Sequence, residues 1–333
     1  MNNLRHEKIS EIIGQCIELS PIDSRCEVDV RYNEPMSLHT TFKTGGPADV
    51  WLRPHGDSFP AFCAEFIYRV RREGIPVFIL GGGANVVVSD KGIRGITLDM
   101  GAWEGESVWS VCAAEDELVL KSGTNIDDAA DIAVASGLCG LEFLAGMPGT
   151  VGGALWMNAR CYGKETADVL SWAEIIDFGG GKEEPQFKRI TVGDSSVKAG
   201  FDYKKSPFQK MDCLILSAAF KLKKGGKEKS LAEMEKNRQD RHEKGHYLFP
   251  CAGSAFKNNR DFGKPTGQII DELGLRGFQI GGAQIAPFHG NIIINAGSAT
   301  AANIRALMDE VAAKVKTATG FTLESEILFI GEW

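Results

Sequence analysis

Two segments of this 333-residue chain are rich in glycine and can present backbone atoms to a ligand. Residues 81–85 read Gly-Gly-Gly-Ala-Asn, and residues 144–159 contain four glycines, a proline and, near their end, the amide Asn158. Glycine lets the main chain approach a ligand closely, so successive N–H groups can hold a phosphate or a flat heterocycle. Taken alone, the longer segment fits a run of tight turns equally well.

Neither segment has the GxGxxG pattern of the dinucleotide-binding fold. That fold also needs a helix after its glycines, whereas valines 86–88 follow the first segment. Two separate glycine loops instead indicate a nucleotide held between two small α+β lobes.

A serine with a small, flexible turn before it is the clearest candidate for proton transfer. Ser254 follows Cys-Ala-Gly and precedes Lys257 and Asn258. A GxSxG nucleophile elbow would need a glycine where Phe256 stands, so an acyl-transfer serine is unsupported. Two interpretations stay open on the pattern alone, a hydroxyl that donates a proton and a helix-capping or turn residue.

Two further groups could face an anionic substrate. Glu324 and Glu326 share one face of a strand predicted over 323–330, because side chains alternate with a period of two. One carboxylate could point into a cleft, or the strand could be an edge strand with a solvated face. Residues 203–206, Tyr-Lys-Lys-Ser, offer a phenol and cations for an anion, or form a basic loop.

A literal HExxH match at 242–246 does not predict a metal site. The motif needs both histidines on one helix, and Gly245 would break that helix between them. No convincing third ligand follows, so we predict no metal.

The elements expected to position these residues follow from apolar periodicity and from stop signals. Thr124 is a plausible N-cap, and Asp127 and Asp128 then lie in a first turn where they are structural. A hinge is expected where Gly245 ends a charged helix. The predicted helices cover 4–18, 60–73, 126–136, 228–244 and 301–319, and a buried strand covers 75–80.

The composition is that of an ordinary globular protein with two or three domains, 43% hydrophobic and 24% charged. The net charge of −7 is spread along the chain, which argues against a nucleic-acid partner. Eight cysteines without a CxxC pair indicate reduced thiols. The N-terminal residues lack the apolar core of a signal peptide, and no window could span a membrane, so we expect a cytoplasmic protein.

Seven markers occur in a fixed order along the chain. They are 40–49, 81–90, 146–158, 203–206, 252–258, 281–284 and the strand of Glu326. In this order they resemble the UDP-N-acetylmuramate dehydrogenases, also called UDP-N-acetylenolpyruvoylglucosamine reductases, a family of FAD enzymes of bacterial peptidoglycan synthesis. The resemblance covers residues 33 to 332 and looks like the shorter branch of the family.

The resemblance implies an α+β fold. It consists of a two-lobed FAD-binding domain of the PCMH (vanillyl-alcohol-oxidase-like) type and a C-terminal α+β substrate-binding domain. On this sequence the resemblance implies an N-terminal helix and lead-in at 1–42, an FAD-binding domain at 43–223 with lobes at 43–105 and 106–223, and a substrate-binding domain at 224–333. FAD is expected to be non-covalent, since no histidine lies in residues 81–90 or 146–158.

The family reaction implies roles for three residues. NADPH reduces FAD, flavin N5 gives hydride to C3 of the enolpyruvyl ether, and a serine that matches Ser254 protonates C2. Glu326 matches the glutamate that polarises the carboxylate, and Lys204 is the loop cation that stabilises it. The resemblance implies FAD contacts from Gly45, Gly46, Gly81, Gly82, Gly83, Ala84, Asn85, Val86, Ser89, Gly146, Pro148, Gly149, Thr150, Gly152, Gly153 and Asn158, and sugar-nucleotide contacts from Tyr203, Asn258 and His289.

Four residues depart from the family pattern. Lys204 and Lys43 stand where the family usually has arginine, and Arg160 with Cys161 interrupts a stretch that is usually glycine and small residues. Lysine keeps the charge but loses the planar two-pronged grip of arginine. Two alternatives therefore stay open: another FAD oxidoreductase of the same fold, or a catalytically impaired flavin- or sugar-nucleotide-binding protein. We expect a monomer whose partners are UDP-N-acetylglucosamine enolpyruvate and NADPH, with no nucleic acid and no membrane.

Overall fold

The computed structural model describes residues 3–19, 26–101, 109–112, 116–181 and 184–333. It divides into two compact units that interleave along the chain. The first comprises Met1–Tyr32, Val50–Gly82 and Gly95–Arg238, and the second Asn33–Asp49, Gly83–Arg94 and Gln239–Trp333. The predicted domains instead follow chain order, and their boundaries stay a prediction.

Helices and strands both occur throughout the described residues. The helices are α1 Asn3–Glu18, α2 Phe59–Arg72, α3 Ile126–Ala135, α4 Val151–Trp156, α5 Ser195–Lys198, α6 Lys227–Glu243, α7 Thr266–Glu272 and α8 Ala301–Thr319. The strands are β1 Glu27–Pro35, β2 Pro47–His55, β3 Val77–Leu80, β4 Val86–Val88, β5 Ile93–Asp99, β6 Trp109–Cys112, β7 Glu117–Lys121, β8 Leu138–Cys139, β9 Arg160–Cys161, β10 Lys164–Glu165, β11 Leu170–Asp177, β12 Gln186–Thr191, β13 Cys213–Lys221, β14 Lys223–Lys224, β15 Cys251–Ser254, β16 Gln279–Ile280, β17 Ala283–Ile285, β18 Ile292–Asn295 and β19 Leu328–Ile330.

The first unit contains most of one four-stranded sheet and a five-stranded sheet. The four strands are ordered β1-β2-β5-β3, and the buried faces of α1 and α2 pack into a core that includes β5. The five strands are antiparallel in the order β12-β11-β13-β7-β6. Helices α3 and α4 pack against this second sheet and so hold the longer glycine segment on a buried support.

The second unit is built on the antiparallel sheet β15-β18-β17-β16, against which α8 buries one face. A separate parallel pair joins β4 to β19, with Val86 opposite Leu328. Phe42 and Val87 are fully buried in the same core as α8, so residues from the first third of the chain complete this unit.

Most predicted elements are confirmed, with bounds within about two residues of the expected ones. Two expectations are wrong. Asn125, not Thr124, caps α3, because its side-chain oxygen accepts the Asp127 N–H at 2.9 Å. The strand predicted over 323–330 is regular only at Leu328–Ile330, and Ser325 forms a single bridge with Phe256.

Candidate active site

Within the first unit, residues of the two glycine segments meet backbone to backbone. A Cβ atom built on Gly82 would lie 2.6 Å from the Cα of Gly149, and one built on Gly81 would lie 2.7 Å from Oγ1 of Thr150. Real Cβ atoms essentially never approach another heavy atom so closely. The close approach therefore requires glycine at both positions.

The second half of the longer segment is a short helix, which the sequence did not predict. Thr150 caps α4 by accepting the Gly153 N–H at 3.3 Å. Gly152 donates to the Ser122 carbonyl at 2.8 Å, and a Cβ there would lie 2.9 Å from the Ser122 Cβ. Gly152 and Gly153 thus serve packing and capping, whereas Gly146, Pro148 and Gly149 form the turn before the helix.

These loops leave main-chain donors available for a ligand. In the first unit, the N–H groups of Gly81, Gly82, Gly149 and Thr150 donate no hydrogen bond to any residue in the described ranges. A row of N–H groups on a glycine backbone is a concavity for anions such as the diphosphate of a dinucleotide. The residues present therefore fit FAD.

The second unit carries a matching set of close backbone approaches. A Cβ on Gly45 would lie 2.8 Å from the Cβ of Val88, and the Gly46 N–H donates to the Ser89 carbonyl at 2.9 Å. The carbonyl of Gly83 (φ 62°) accepts the Thr41 N–H at 3.1 Å. Residues 41–46 and 83–89 are thereby held together, and Ala84 and Val86 lie between these contacts.

Two residues predicted to contact FAD use their side chains in hydrogen bonds to the protein backbone. The Ser89 hydroxyl donates to the Glu332 carbonyl. The Asn85 amide nitrogen donates to the Glu326 carbonyl at 3.0 Å. The backbone of these residues still borders the glycine loops, so their FAD contacts stay a prediction.

The side-chain amide of Asn158 also bonds to groups of the protein. The residue is completely buried. Its nitrogen donates to the Asp202 carbonyl at 3.0 Å, and its oxygen accepts the Thr166 hydroxyl and the Ala167 N–H, both at 3.1 Å. Its φ of 44° lies in the left-handed region, which asparagine tolerates better than most residues. Asn158 therefore joins the end of the glycine segment to the loop that carries Tyr203 and Lys204.

The later part of that loop is fixed to the end of α4. The Ser206 hydroxyl donates to the Trp156 carbonyl at 2.8 Å, and the Gln209 amide donates to the carbonyls of Trp156 and Lys204 at 2.9 and 3.1 Å. Lys204 has a φ of 57°, so the backbone turns sharply at the cation. The structure thus brings Tyr203 and Lys204 next to the glycine segment within the first unit.

Ser254 and Glu326 lie on neighbouring backbone segments of the second unit. Ser254 ends β15 opposite Ile292, and the next residue, Ala255, accepts the Glu326 N–H at 2.9 Å. Glu326 is only 8% exposed, whereas the side chain of Glu324 is 72% exposed and pairs with the Lys257 ammonium. The two glutamates therefore do not share an environment, and Glu326 is the one whose backbone bonds the residue after Ser254.

Asn258 and His289 flank this pair of segments. The Asn258 amide oxygen accepts the Thr266 N–H at 2.9 Å, at the start of α7. Nδ1 of His289 accepts the Asn291 N–H at 3.1 Å. Burial, aided by the cations Arg276 and Lys244, lowers the pKa of His289, so a neutral imidazole is favoured. Asn291 in turn bonds the Phe256 N–H and carbonyl at 3.0 and 2.8 Å, which fixes the backbone after Ser254.

Three or more His, Cys, Asp or Glu side chains grouped to hold a metal are not found in the described ranges. Gly245 has a φ of 76° and donates to the His242 carbonyl, so the HExxH match ends a helix. Within the same ranges, no helix has the length and apolar character to cross a membrane.

Known protein families match segments of both units. The family described as UDP-N-acetylenolpyruvoylglucosamine reductase, C-terminal domain, matches residues 243–330, and the FAD binding domain family matches residues 63–184. UDP-N-acetylenolpyruvoylglucosamine reductase of Borrelia garinii is 40% identical over 294 residues, which are 88% of this chain and 90% of the relative. This chain belongs to the UDP-N-acetylenolpyruvoylglucosamine reductase family.

Further members of the reductase family align with more than nine tenths of this chain. The Treponema denticola protein of that name is 38% identical over 92% of this chain and 95% of its own. The crystal structure of the Thermus caldophilus reductase superposes with a TM-score of 0.70 at 29% identity, covering 92% of this chain and 99% of that one. The predicted family, fold class and FAD cofactor are confirmed.

Proposed function

We propose that this chain catalyses the NADPH-dependent reduction of UDP-N-acetylglucosamine enolpyruvate to UDP-N-acetylmuramate, a step of peptidoglycan precursor synthesis. Relatives that carry the name of this reductase align with the chain over nine tenths or more of their own length. The observation that carries the assignment of residues is that the buried Glu326 donates its backbone N–H to the carbonyl of Ala255, the residue after Ser254.

The reaction adds a hydride and a proton across a carbon–carbon double bond. The glycine loops would hold FAD, which, once reduced by NADPH, would supply the hydride to C3. Negative charge then develops on C2 and spreads into the adjacent carboxylate, as in an enolate. A site for this chemistry needs a proton donor for C2 and polar groups for the carboxylate.

The chain offers one side chain for each need. Ser254 has a hydroxyl that can give its proton to C2, and the extended backbone of β15 holds it in place. Glu326 polarises the carboxylate from a position largely shielded from water, which strengthens its electrostatic effect. Lys204 supplies positive charge that offsets the enolate. Tyr203, Asn258 and His289 are assigned to the uridine diphosphate part of the substrate.

The decisive test is Ser254→Ala. Removing the proton donor should lower kcat by about 10²- to 10⁴-fold while reduction of the flavin by NADPH stays at the wild-type rate. Stopped-flow absorbance at the flavin band separates the two half-reactions. Ser195→Ala, at an exposed serine of the first unit, is the matched control. Unchanged turnover in Ser254→Ala would remove this residue from the mechanism.

The substitution of the usual arginine by Lys204 motivates a second candidate, a flavin- or sugar-nucleotide-binding protein with impaired catalysis. The same assay distinguishes the candidates, because only the reductase oxidises NADPH in proportion to the added substrate. Another FAD oxidoreductase of this fold would reduce its flavin with NADPH and fail to reoxidise with this substrate.

We also propose that the enzyme works as a monomer in the cytoplasm. The cysteine side chains that the structure describes are free thiols, as expected for a reducing compartment. Light scattering of the purified holoprotein at micromolar concentration tests the monomer, and a mass near 36.1 kDa is expected.

A further inference from the structure

The hairpin that follows the glycine segment carries an arginine with unused hydrogen-bonding capacity. Arg160 opens β9, which pairs with β10 so that Arg160 lies opposite Glu165. The guanidinium lies 4.0 Å from the Glu165 carboxylate, the outer limit of an ion pair, and its side chain is 34% exposed. It donates no hydrogen bond to any residue of the described part of the chain.

Arg160 nevertheless has a defined direction, because it lies over the ring of Tyr203. The guanidinium carbon is 5.8 Å from the ring centroid, within the range of a cation–π contact. Tyr203 precedes Lys204, and the buried Asn158 amide bonds the Asp202 carbonyl just before both. Arg160 therefore lies against the residue that immediately precedes Lys204.

Another arginine of the first unit shows what a structural stacking arginine looks like here. Arg189 stacks on Trp172 at 3.9 Å and donates to the Glu174 carboxylate at 2.8 Å. Its planar fork is thus occupied by protein. Arg160 lies farther from its aromatic ring, at 5.8 Å, and farther from its carboxylate, at 4.0 Å. Its guanidinium N–H groups are therefore available to a ligand.

We propose that Arg160 binds the enolpyruvyl carboxylate of the substrate together with Lys204. A guanidinium can grip a carboxylate with two parallel hydrogen bonds, which the compact ammonium of lysine cannot do. Lys204 contributes a point charge, and Arg160 contributes the geometry. This assignment rests on the proposed function, since it needs a substrate with that carboxylate.

The test measures ligand binding instead of turnover. Isothermal titration of the oxidised holoprotein without NADPH compares UDP-N-acetylglucosamine enolpyruvate with UDP-N-acetylglucosamine, which lacks the carboxylate. Arg160→Gln should weaken binding of the first ligand by about 10- to 100-fold, the range for a hydrogen bond to a charged group. Binding of the second ligand should change less than about twofold, because no carboxylate is present.

Arg189→Gln is the matched control, and it should bind both ligands like the wild type. In the Arg160→Gln background, Lys204→Arg should recover at least a part of the lost affinity, because it restores a fork at the neighbouring position. An unchanged flavin spectrum and an unchanged rate of reduction by NADPH will show that Arg160→Gln folds correctly.

Three outcomes would contradict these assignments, and they are distinguishable. Wild-type affinity of Arg160→Gln for the carboxylate ligand overturns the role of Arg160. Equal losses for both ligands also overturn it, because they place the guanidinium on the diphosphate. A wild-type protein that binds neither ligand overturns the proposed function itself.

Discussion

The glycine loops of the first unit and the Ser254–Glu326 segments of the second unit are built in opposite ways. At Gly82, the close approach of two backbone segments requires that no side chain be present, because a Cβ would meet the Gly149 backbone. At Ser254 and Glu326, the proposed reaction needs particular side chains, and the backbone there is held by an ordinary β-strand and by the single bridge between Phe256 and Ser325.

This difference predicts what a substitution in each region should change. A substitution in the glycine loops changes shape, so cofactor binding and stability should suffer together. A conservative substitution at the serine or the glutamate leaves the backbone pairing intact, so chemistry should suffer alone. The following experiments test that division.

Glu326→Gln should have the largest effect of these experiments. It keeps the size of the side chain and removes its acid–base function, so kcat should fall by about 10²- to 10³-fold. The flavin should remain bound and reducible. Glu324→Gln is the internal control, because its side chain is largely exposed and pairs with Lys257. Equal losses in both variants would contradict the assignment of Glu326.

Gly82→Ala should weaken FAD binding by about tenfold or more, since relieving an overpacked contact costs about 1–3 kcal/mol. The added Cβ meets backbone atoms of Gly149, which cannot rotate away. Fluorescence titration of the apoprotein with FAD measures the effect. Gly14→Ala is the control, because a Cβ there meets nothing within 4 Å. If Gly82→Ala bound FAD normally but turned over slowly, the division drawn above would be wrong.

The smallest expected effect is on the stability of the protein at acidic pH. Burial lowers the pKa of His246 to about 4, and the nearby Arg241, His289 and Lys244 contribute while Asp240 opposes them. An unfolded histidine titrates near 6.5, so the unfolded chain binds the extra proton first as the pH falls. The contribution of His246 to stability is therefore complete above about pH 6.5 and is lost progressively toward pH 4.

Urea unfolding of the holoprotein at pH 7.5 and pH 5 measures this dependence. His246→Gln should reduce the difference in unfolding free energy between the two pH values, whereas His242→Gln, at an exposed histidine, should leave it unchanged. An identical pH dependence in wild type and His246→Gln would show that His246 does not carry it.

Glycine density and apolar periodicity predicted the five longest helices and both glycine loops, because these signals are local. The role of Asn158 could not be predicted, since its partners Asp202 and Thr166 are brought to it only by the fold. The separation of Glu326 from Glu324 likewise depends on burial and on a bridge to Phe256. Local patterns locate a residue type, whereas its environment depends on distant segments.

The parallel pair of β4 and β19 has a consequence for the order of synthesis. Residues 86–88 leave the ribosome long before residues 328–330, with which they pair. The carboxylate of Asp90 likewise waits for the N–H groups of Ala301 and Ala302, which it accepts at 2.8 and 2.9 Å. The five-stranded sheet of the first unit, in contrast, is complete once Lys221 is made. Because non-local pairing is slow and leaves strand edges exposed, the pace of translation beyond residue 221 should influence how much of the nascent chain aggregates.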